Sequence, residues 1–112
     1  MDTLYTQELQ SVDGFDITFN ALAEDVPLSD TLDCTDQELK EYYKKLENYD
    51  LVYFCAEVTA SRCGVNLAHN YLGCCIYVSY DDFIQANDYI QDMIQMAVED
   101  AKHTLKQMNQ GE

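Results

Sequence analysis

Apolar and polar side chains alternate directly after the turn dipeptide Asp13-Gly14. A period of two over seven positions predicts a strand with one buried face. Its apolar positions are Phe15, Ile17, Phe19 and Ala21. Residues 2–12, which precede it, are compatible with a short helix. Residues 23–34, which follow it, contain the only proline, three Asp residues and one Ser, and this composition predicts a loop.

The next segment has the spacing of an amphipathic helix. Thr35 and Glu38 form a capping box, in which the two side chains satisfy backbone N–H groups at the start of a helix. We therefore predict a helix over residues 36–48. Its apolar positions recur at helical intervals: Leu39, Tyr42, Tyr43, Leu46 and Tyr49. It also carries three of the six basic residues, Lys40, Lys44 and Lys45.

A long antiparallel hairpin is predicted after this helix. Residues 51–60 alternate with a period of two, and one face holds Val52, Phe54, Ala56, Val58 and Ala60. Arg62-Cys63-Gly64 turns the chain, residues 66–69 either pair or belong to the loop, and residues 71–80 form the second strand. Gly73, inside that strand, indicates a bulge or a close backbone approach.

The C-terminal segment has a continuous apolar stripe at helical spacing: Ile90, Met93, Ile94, Ala97, Ala101, Leu105 and Met108. Asp81 or Asp82 can cap this helix. The whole pattern predicts an α+β fold. In it an antiparallel sheet of three or more strands packs against two or three helices, the last of them long and amphipathic. A chain of 112 residues forms one domain, residues 1–112.

Charge narrows the classes of partner. Six basic residues against 21 acidic ones give a net charge of −15, and the first 39 residues contain no Lys or Arg. Direct binding to nucleic acid or to anionic membranes is disfavoured, because both need basic residues. A hydrophobic fraction of 47% argues against disorder. Met1 to Gln10 do not resemble a signal peptide, so we expect a cytoplasmic protein without a membrane span.

Signatures of catalysis are scarce, and we expect neither an enzyme nor a cofactor. No phosphate-binding glycine loop, G-x-S-x-G or H-E-x-x-H motif occurs. A zinc site is one alternative, and its spacing matches no standard zinc knuckle. It would recruit Cys63, His69, Cys74 and Cys75. A thiolate of Cys63 activated by His69 in the hairpin loop is another, although no third group is evident to orient it.

The acidic pattern is the most informative feature. In a continuous helix Asp88, Asp92 and Glu99 share one face, rising about 6 and 10 Å at spacings of four and seven residues. Such a ladder of carboxylates can imitate a row of phosphates and attract a basic groove. Further residues are expected to support this contact: Glu24, Asp25, Asp81, Asp82, Tyr89 and Asp100. The alternative is that the acidic residues serve solubility alone.

Nine tyrosines allow a second interpretation. Tyrosine suits half-buried positions, and it is also enriched at protein interfaces. The chain could therefore be an adaptor that binds through a tyrosine-rich hairpin surface. The C-terminal helix has enough apolar surface for either a monomer or a homodimer.

Part of the chain, roughly residues 50 to 100, resembles a family of small acidic proteins encoded by phages and plasmids. The similar segments are Phe54-Cys55-Ala56-Glu57-Val58-Thr59-Ala60, Asn70-Tyr71-Leu72-Gly73-Cys74-Cys75-Ile76-Tyr77, Phe83 and Asp88-Tyr89-Ile90-Gln91-Asp92-Met93. The chain departs from the family pattern at Cys74, where a second glycine is expected, and at Ile90, where tyrosine is expected. The resemblance implies a mobile-element origin and an inhibitor of host defence, of the anti-restriction or anti-CRISPR type. Some such proteins imitate DNA.

Overall fold

A computed structural model describes residues 2–31, 34–86 and 89–110 of the chain. These residues form four strands and four helices: β1 (Thr3–Val12), β2 (Phe15–Leu22), α1 (Leu28–Thr31), α2 (Asp36–Glu47), β3 (Val52–Arg62), β4 (Val65–Tyr77), α3 (Tyr80–Ala86) and α4 (Ile90–Gln110). The strands form one antiparallel sheet in the order β1-β2-β3-β4. The predicted α+β fold, its long hairpin and its long C-terminal helix are confirmed.

The register divides the sheet into two faces. Phe19 of β2 lies opposite Val58 of β3, and Ala56 of β3 lies opposite Leu72 of β4. Directly opposed residues of antiparallel strands point to the same side, so these positions define one face, which α3 and α4 cover. We call it the helix face. The other side, which we call the open face, carries mostly polar residues: Thr6, Glu8, Asp16, Thr18, Asn20, Glu57, Thr59, Ser61, His69 and Tyr71.

Aromatic rings fill the centre of the helix face. Phe83 of α3 stacks on Phe19 with 5.7 Å between ring centroids and meets Phe54 edge-on at 5.6 Å. Further along the sheet the core consists of small residues. Ala60 of β3 and Ala97 and Ala101 of α4 are fully buried. Small side chains let α4 lie close to the sheet, as interiors packed without voids require.

The N-terminal segment corrects one prediction. Residues 3–12 form strand β1, not a helix, and Gln7 and Leu9 lie opposite Phe19 and Ile17. The alternation is present, because Tyr5, Gln7 and Leu9 are half-buried while Thr6 and Glu8 are exposed. Gln7, a polar residue at a helix-face position, obscured this alternation in the sequence. The predicted loop at residues 23–34 also contains the short helix α1, and residues 32 and 33 lie outside the described residues.

Two boundaries near the C-terminus also differ from the prediction. Asp81 and Asp82 do not cap the last helix but lie in the first turn of the separate helix α3. Ser79 is its cap, since its hydroxyl accepts the Asp82 N–H at 3.0 Å. Strand β4 begins at Val65 and ends at Tyr77, so residues 66–69 pair with β3. His69 therefore belongs to a strand, and the predicted hairpin loop is shorter.

Helix α2 is confirmed and depends on local interactions. Thr35 Oγ1 accepts the Glu38 N–H at 3.2 Å, as the capping box predicts. The Glu38 carboxylate accepts from the Thr35 hydroxyl at 3.2 Å. None of the twelve residues of α2 is buried. Because tertiary packing normally supplies most helix stability, the cap matters more here than in α4.

Among the described residues, no helix combines the length and hydrophobicity that a membrane span needs.

Both hairpin turns are joined by Arg62. Its guanidinium lies 4.3 Å from the centre of the Phe15 ring and donates to the backbone carbonyls of Asp13 and Gly14, each at 3.3 Å. Lys102 of α4 reaches the same turn and pairs with Asp13 at 2.7 Å. Two of the six basic side chains therefore tie the ends of the strands and α4 together.

We expect Phe83→Ala to lower the free energy of unfolding by about 3–5 kcal/mol, because it removes a buried ring that contacts three others. Urea denaturation followed by circular dichroism measures the change. Tyr43→Ala, on the exposed side of α2, is the matched aromatic control and should cost about 0.5 kcal/mol or less. Equal losses in the two variants would contradict this assignment of the core.

Candidate functional site

The predicted acidic residues lie on three separate elements. Asp81 and Asp82 are exposed on α3, and Asp92, Glu99 and Asp100 are exposed on α4. Glu24 and Asp25 follow β2, and Tyr89, 53% exposed, directly precedes α4. Asp88 lies outside the described residues. The fold therefore places the carboxylates of α3 and α4 on the same side of the sheet but does not gather all predicted residues into one pocket.

The acidic ladder of α4 has two carboxylates in the described part of the chain. Asp92 and Glu99 are seven residues apart, so they share a face at a spacing of about 10 Å. Gln95 donates to Glu99 at 3.3 Å. The next positions on that face are His103 and Lys106, so the sign of the charge changes along the helix. The acidic surface of α4 is thus limited to its N-terminal half.

Glu24 has a structural role that the sequence did not indicate. Its carboxylate accepts the backbone N–H of Cys74 at 2.7 Å and that of Val26 at 3.2 Å. Hydrogen bonding, above all from Cys74, lowers the pKa of this carboxyl group against the opposing effect of burial. A partner could not engage this side chain without competing with these contacts. Of the two predicted residues after β2, only the exposed Asp25 is free of such a role.

The bulge predicted from Gly73 is present where Glu24 binds. The pairing of β3 with β4 shifts between Phe54–Cys75 and Ala56–Leu72. A Cβ on Gly73 would lie 3.2 Å from the Glu24 carboxylate, so the group that approaches this glycine closely is a side chain and not another backbone segment. Cys74 has a φ of 59°, in the left-handed region that favours glycine. Cys74 is also the position at which a second glycine is expected from the resemblance to the phage and plasmid proteins.

We predict that Cys74→Gly is more stable than Cys74→Ala by about 1 kcal/mol, because only the glycine removes the Cβ from a left-handed residue. Both variants lack the thiol, so their difference isolates the backbone conformation. Thermal and urea unfolding of the two proteins measure it. A more stable alanine variant would show that Cys74 is not strained at this bulge.

A hydrogen-bonded network crosses the open face and centres on Glu57. Thr6 donates to Asn20 at 2.8 Å, and Asn20 donates to Glu57 at 2.8 Å. The other carboxylate oxygen of Glu57 lies 3.2 Å from His69 Nδ1, which is also 3.2 Å from the Thr59 hydroxyl. The Glu57 side chain is only 12% exposed. The network therefore fixes side chains from all four strands.

His69 and Tyr71 form the exposed end of this network. Their rings stack with centroids 6.2 Å apart, and Tyr71 is 56% exposed. Hydrogen bonding to the Glu57 carboxylate raises the pKa of the Tyr71 phenol, since it favours the protonated form. Sequence reasoning missed this site because it placed His69 in a loop. Period-two counting from Leu72 back through Asn70 to Ala68, the helix-face positions, would have extended the strand past His69.

The cysteine and histidine residues considered for zinc or nucleophilic chemistry are dispersed. Cys63 is exposed in the β3–β4 turn, whereas His69 is engaged by Glu57 and Thr59. Cys75 is buried on the helix face, and burial raises the pKa of its thiol to about 11. Within the described ranges, no three His, Cys, Asp or Glu side chains are grouped closely enough to hold a metal ion.

Unpaired negative charge dominates the surface. Eighteen of the 21 acidic residues lie in the described part of the chain, and all are exposed except the half-buried Glu24 and Glu57. Within that part, only Asp13 lies within ion-pair distance of a lysine or arginine. The molecule measures 58 × 23 × 23 Å, so these carboxylates average about one per 3 Å of its length.

Comparisons with protein-family models, curated proteins and solved structures found no match.

We expect Glu57→Gln to lower the Tyr71 pKa toward the ordinary value of tyrosine, because a neutral amide stabilises the protonated phenol less than a carboxylate does. Nuclear magnetic resonance of ¹³C-labelled tyrosine, recorded across a pH series, measures the shift. Tyr80, whose pKa is raised by burial alone, is the internal control and should keep its value. An unchanged Tyr71 titration would show that the hydrogen bond to Glu57 does not govern it.

Proposed function

We propose that this chain is a non-enzymatic inhibitor that occupies the basic nucleic-acid channel of a host defence or repair complex, as an acidic mimic of DNA. The resemblance to small acidic proteins of phages and plasmids motivates the choice of target, a restriction or CRISPR complex. The observation that carries the proposal is the density of unpaired carboxylates along an elongated molecule.

The density of carboxylates along the molecule can be compared with the charge density of nucleic acid. One strand of DNA carries a negative charge about every 3.4 Å, and a duplex carries one about every 1.7 Å of axis. An average of about one described carboxylate per 3 Å is near the single-strand value. The six basic residues, all in the described part of the chain, lower the net density to about one negative charge per 5 Å. A basic channel would therefore meet a weaker field of the same sign as that of DNA, and this field would accelerate the encounter.

We assign the principal contacts to Asp92 and Glu99 of α4, with Asp81 and Asp82 of α3 in support. All four are exposed, and α3 and α4 lie on the same side of the sheet. Asp88 belongs to the same proposal through its spacing in the sequence. Self-repulsion among carboxylates costs stability, so the retention of so many unpaired groups favours a binding role over solubility alone.

The exposed Tyr71 favours a second candidate function, an adaptor that binds through the open face. Several other tyrosines are committed to packing, since Tyr5, Tyr77 and Tyr80 lie against the core cluster. Tyr71 is held by its stack with His69 and still presents more than half of its surface. A rigid, exposed aromatic ring is a common anchor of protein interfaces.

Binding to purified restriction and CRISPR complexes, measured by biolayer interferometry over a salt series, separates the two candidates. For an acidic mimic, affinity should fall steeply as the salt concentration rises, because salt ions screen the attraction between the carboxylates and the basic channel. The double variant Asp92→Asn/Glu99→Gln should weaken binding by about tenfold or more if each contact is worth roughly 1 kcal/mol. Duplex DNA should compete with the wild-type chain.

The matched control is Glu41→Gln/Glu47→Gln on α2, which removes the same charge from a different element. It should reduce affinity much less than the α4 variant. Tyr71→Ala should leave binding intact. Binding that is insensitive to salt and is abolished by Tyr71→Ala would instead support the adaptor. If the chain binds none of the complexes, restriction and CRISPR complexes are both excluded as targets.

A further inference from the structure

Strand β1 has an outer edge that no other strand pairs with in the described part of the chain. Edge strands are commonly protected by lysine or proline, which discourage the addition of another strand. The ten residues Thr3–Val12 contain neither. Their pairing with β2 is regular from Tyr5 to Leu9, so this stretch offers an ordered row of backbone groups. Register shifts interrupt β1 on both sides of this stretch, between Thr3 and Tyr5 and between Leu9 and Val12. Strand β4, at the other edge, also has two register shifts.

A groove lined by both apolar and polar residues accompanies this edge on the helix face. Two adjoining cavities of about 480 and 380 Å³ lie between the end of β1 and α4, and they share Val12 and Ile94. Their apolar lining is provided by Leu9, Val12, Ile84, Ile90, Ile94 and Val98. An extended chain paired with β1 would direct every second side chain to the helix face, and the side chains nearest Leu9 would face this lining.

The opposite side of the same edge is acidic and polar. A cavity of about 360 Å³ on the open face is lined by Glu8 and Asp16 together with three hydroxyl groups, those of Ser11, Thr18 and Ser61. No Lys or Arg lines it. The remaining side chains of an added strand would point toward this cavity, where basic groups are favoured and acidic groups are repelled.

We propose that β1 binds an extended peptide of a partner protein in which apolar residues alternate with Lys or Arg. The backbone of β1 supplies the pairing, the groove beside α4 receives the apolar side chains, and Glu8 and Asp16 receive the basic ones. This mode is strand addition, in which backbone hydrogen bonds provide affinity and alternate pockets provide specificity. The proposal rests on the proposed function only for the basic character of the partner.

A second copy of the chain fits this edge poorly. Pairing β1 with another β1 would add a strand without Lys or Arg and would bring a second Glu8 to the same acidic face. Like charges on adjacent strands are destabilising, and each copy carries a net charge of −15. The charge of the edge therefore selects a basic segment of a different protein.

The test uses the full ¹⁵N-labelled chain and a soluble peptide of about ten residues that alternates valine and lysine, the length of a strand that spans β1. Amide shifts should change at Tyr5–Leu9 and in the first half of α4. A control peptide has the same residues arranged in pairs, which places valine on both sides of a strand. It should bind about tenfold more weakly, as should a peptide N-methylated at alternate residues.

Variants of the chain separate this proposal from the function proposed above. Glu8→Gln/Asp16→Asn should weaken binding of the alternating peptide. Asp81→Asn/Asp82→Asn, an equal loss of charge, should leave that binding unchanged. Gln91→Arg adds a cation at the groove and should weaken binding, whereas Gln107→Arg, farther along α4, should not. Equal affinity for the alternating and paired peptides would overturn strand addition while leaving the acidic mimic intact. Concentration-dependent dimerisation through the Tyr5–Leu9 amides would also overturn it, because a second copy would then occupy the edge.

Discussion

Burial of the helix face under α3 and α4 is the interaction on which the rest of the molecule depends. Phe83 can reach Phe19 and Phe54 only if α3 lies across the centre of the sheet, and Ala97 and Ala101 let α4 continue along β3 and β4. The apolar side chains concentrated on this face give its coverage the largest favourable contribution to folding. Once it is covered, the opposite face of the same strands is left to polar residues.

This division leaves most of the charge in water. Sixteen of the 18 described carboxylate residues are exposed, and the two that are drawn inward each join separate parts of the chain. Glu24 holds the bulge of β4 against the segment after β2, and Glu57 connects side chains of all four strands. A half-buried carboxylate is tolerated when hydrogen bonds replace its lost hydration. Asp13 pairs with Lys102, and Glu38 belongs to the cap of α2. Most of the remaining described carboxylates are exposed without an ion pair and are available to a partner.

The two proposed modes of recognition use different physical properties of one surface. The field of many carboxylates acts over a Debye length and attracts a basic partner without fixing its orientation. The edge of β1 acts only at contact, but it imposes a direction and a register on the chain that it receives. A protein that has both can combine rapid encounter with a defined bound geometry. The absence of lysine from β1 is consistent with such an arrangement.

The sequence by itself determined the features that depend on neighbouring residues. The alternation around Phe19 and Phe54, the Thr35–Glu38 cap, the bulge at Gly73 and the stripe of α4 are local patterns, and the structure contains each of them.

The tertiary structure decided which distant residues meet. Gln7 belongs to a strand because Phe19 lies opposite it. Asp81 and Asp82 lie in the first turn of α3, which Ser79 caps, because α3 and α4 are separate helices. Strand register brings Glu57, His69 and Tyr71 together, and the packing of α4 creates the groove beside β1. Periodicity specifies which side of an element is apolar, but register and packing between elements set the sites, because those contacts join residues far apart in the chain.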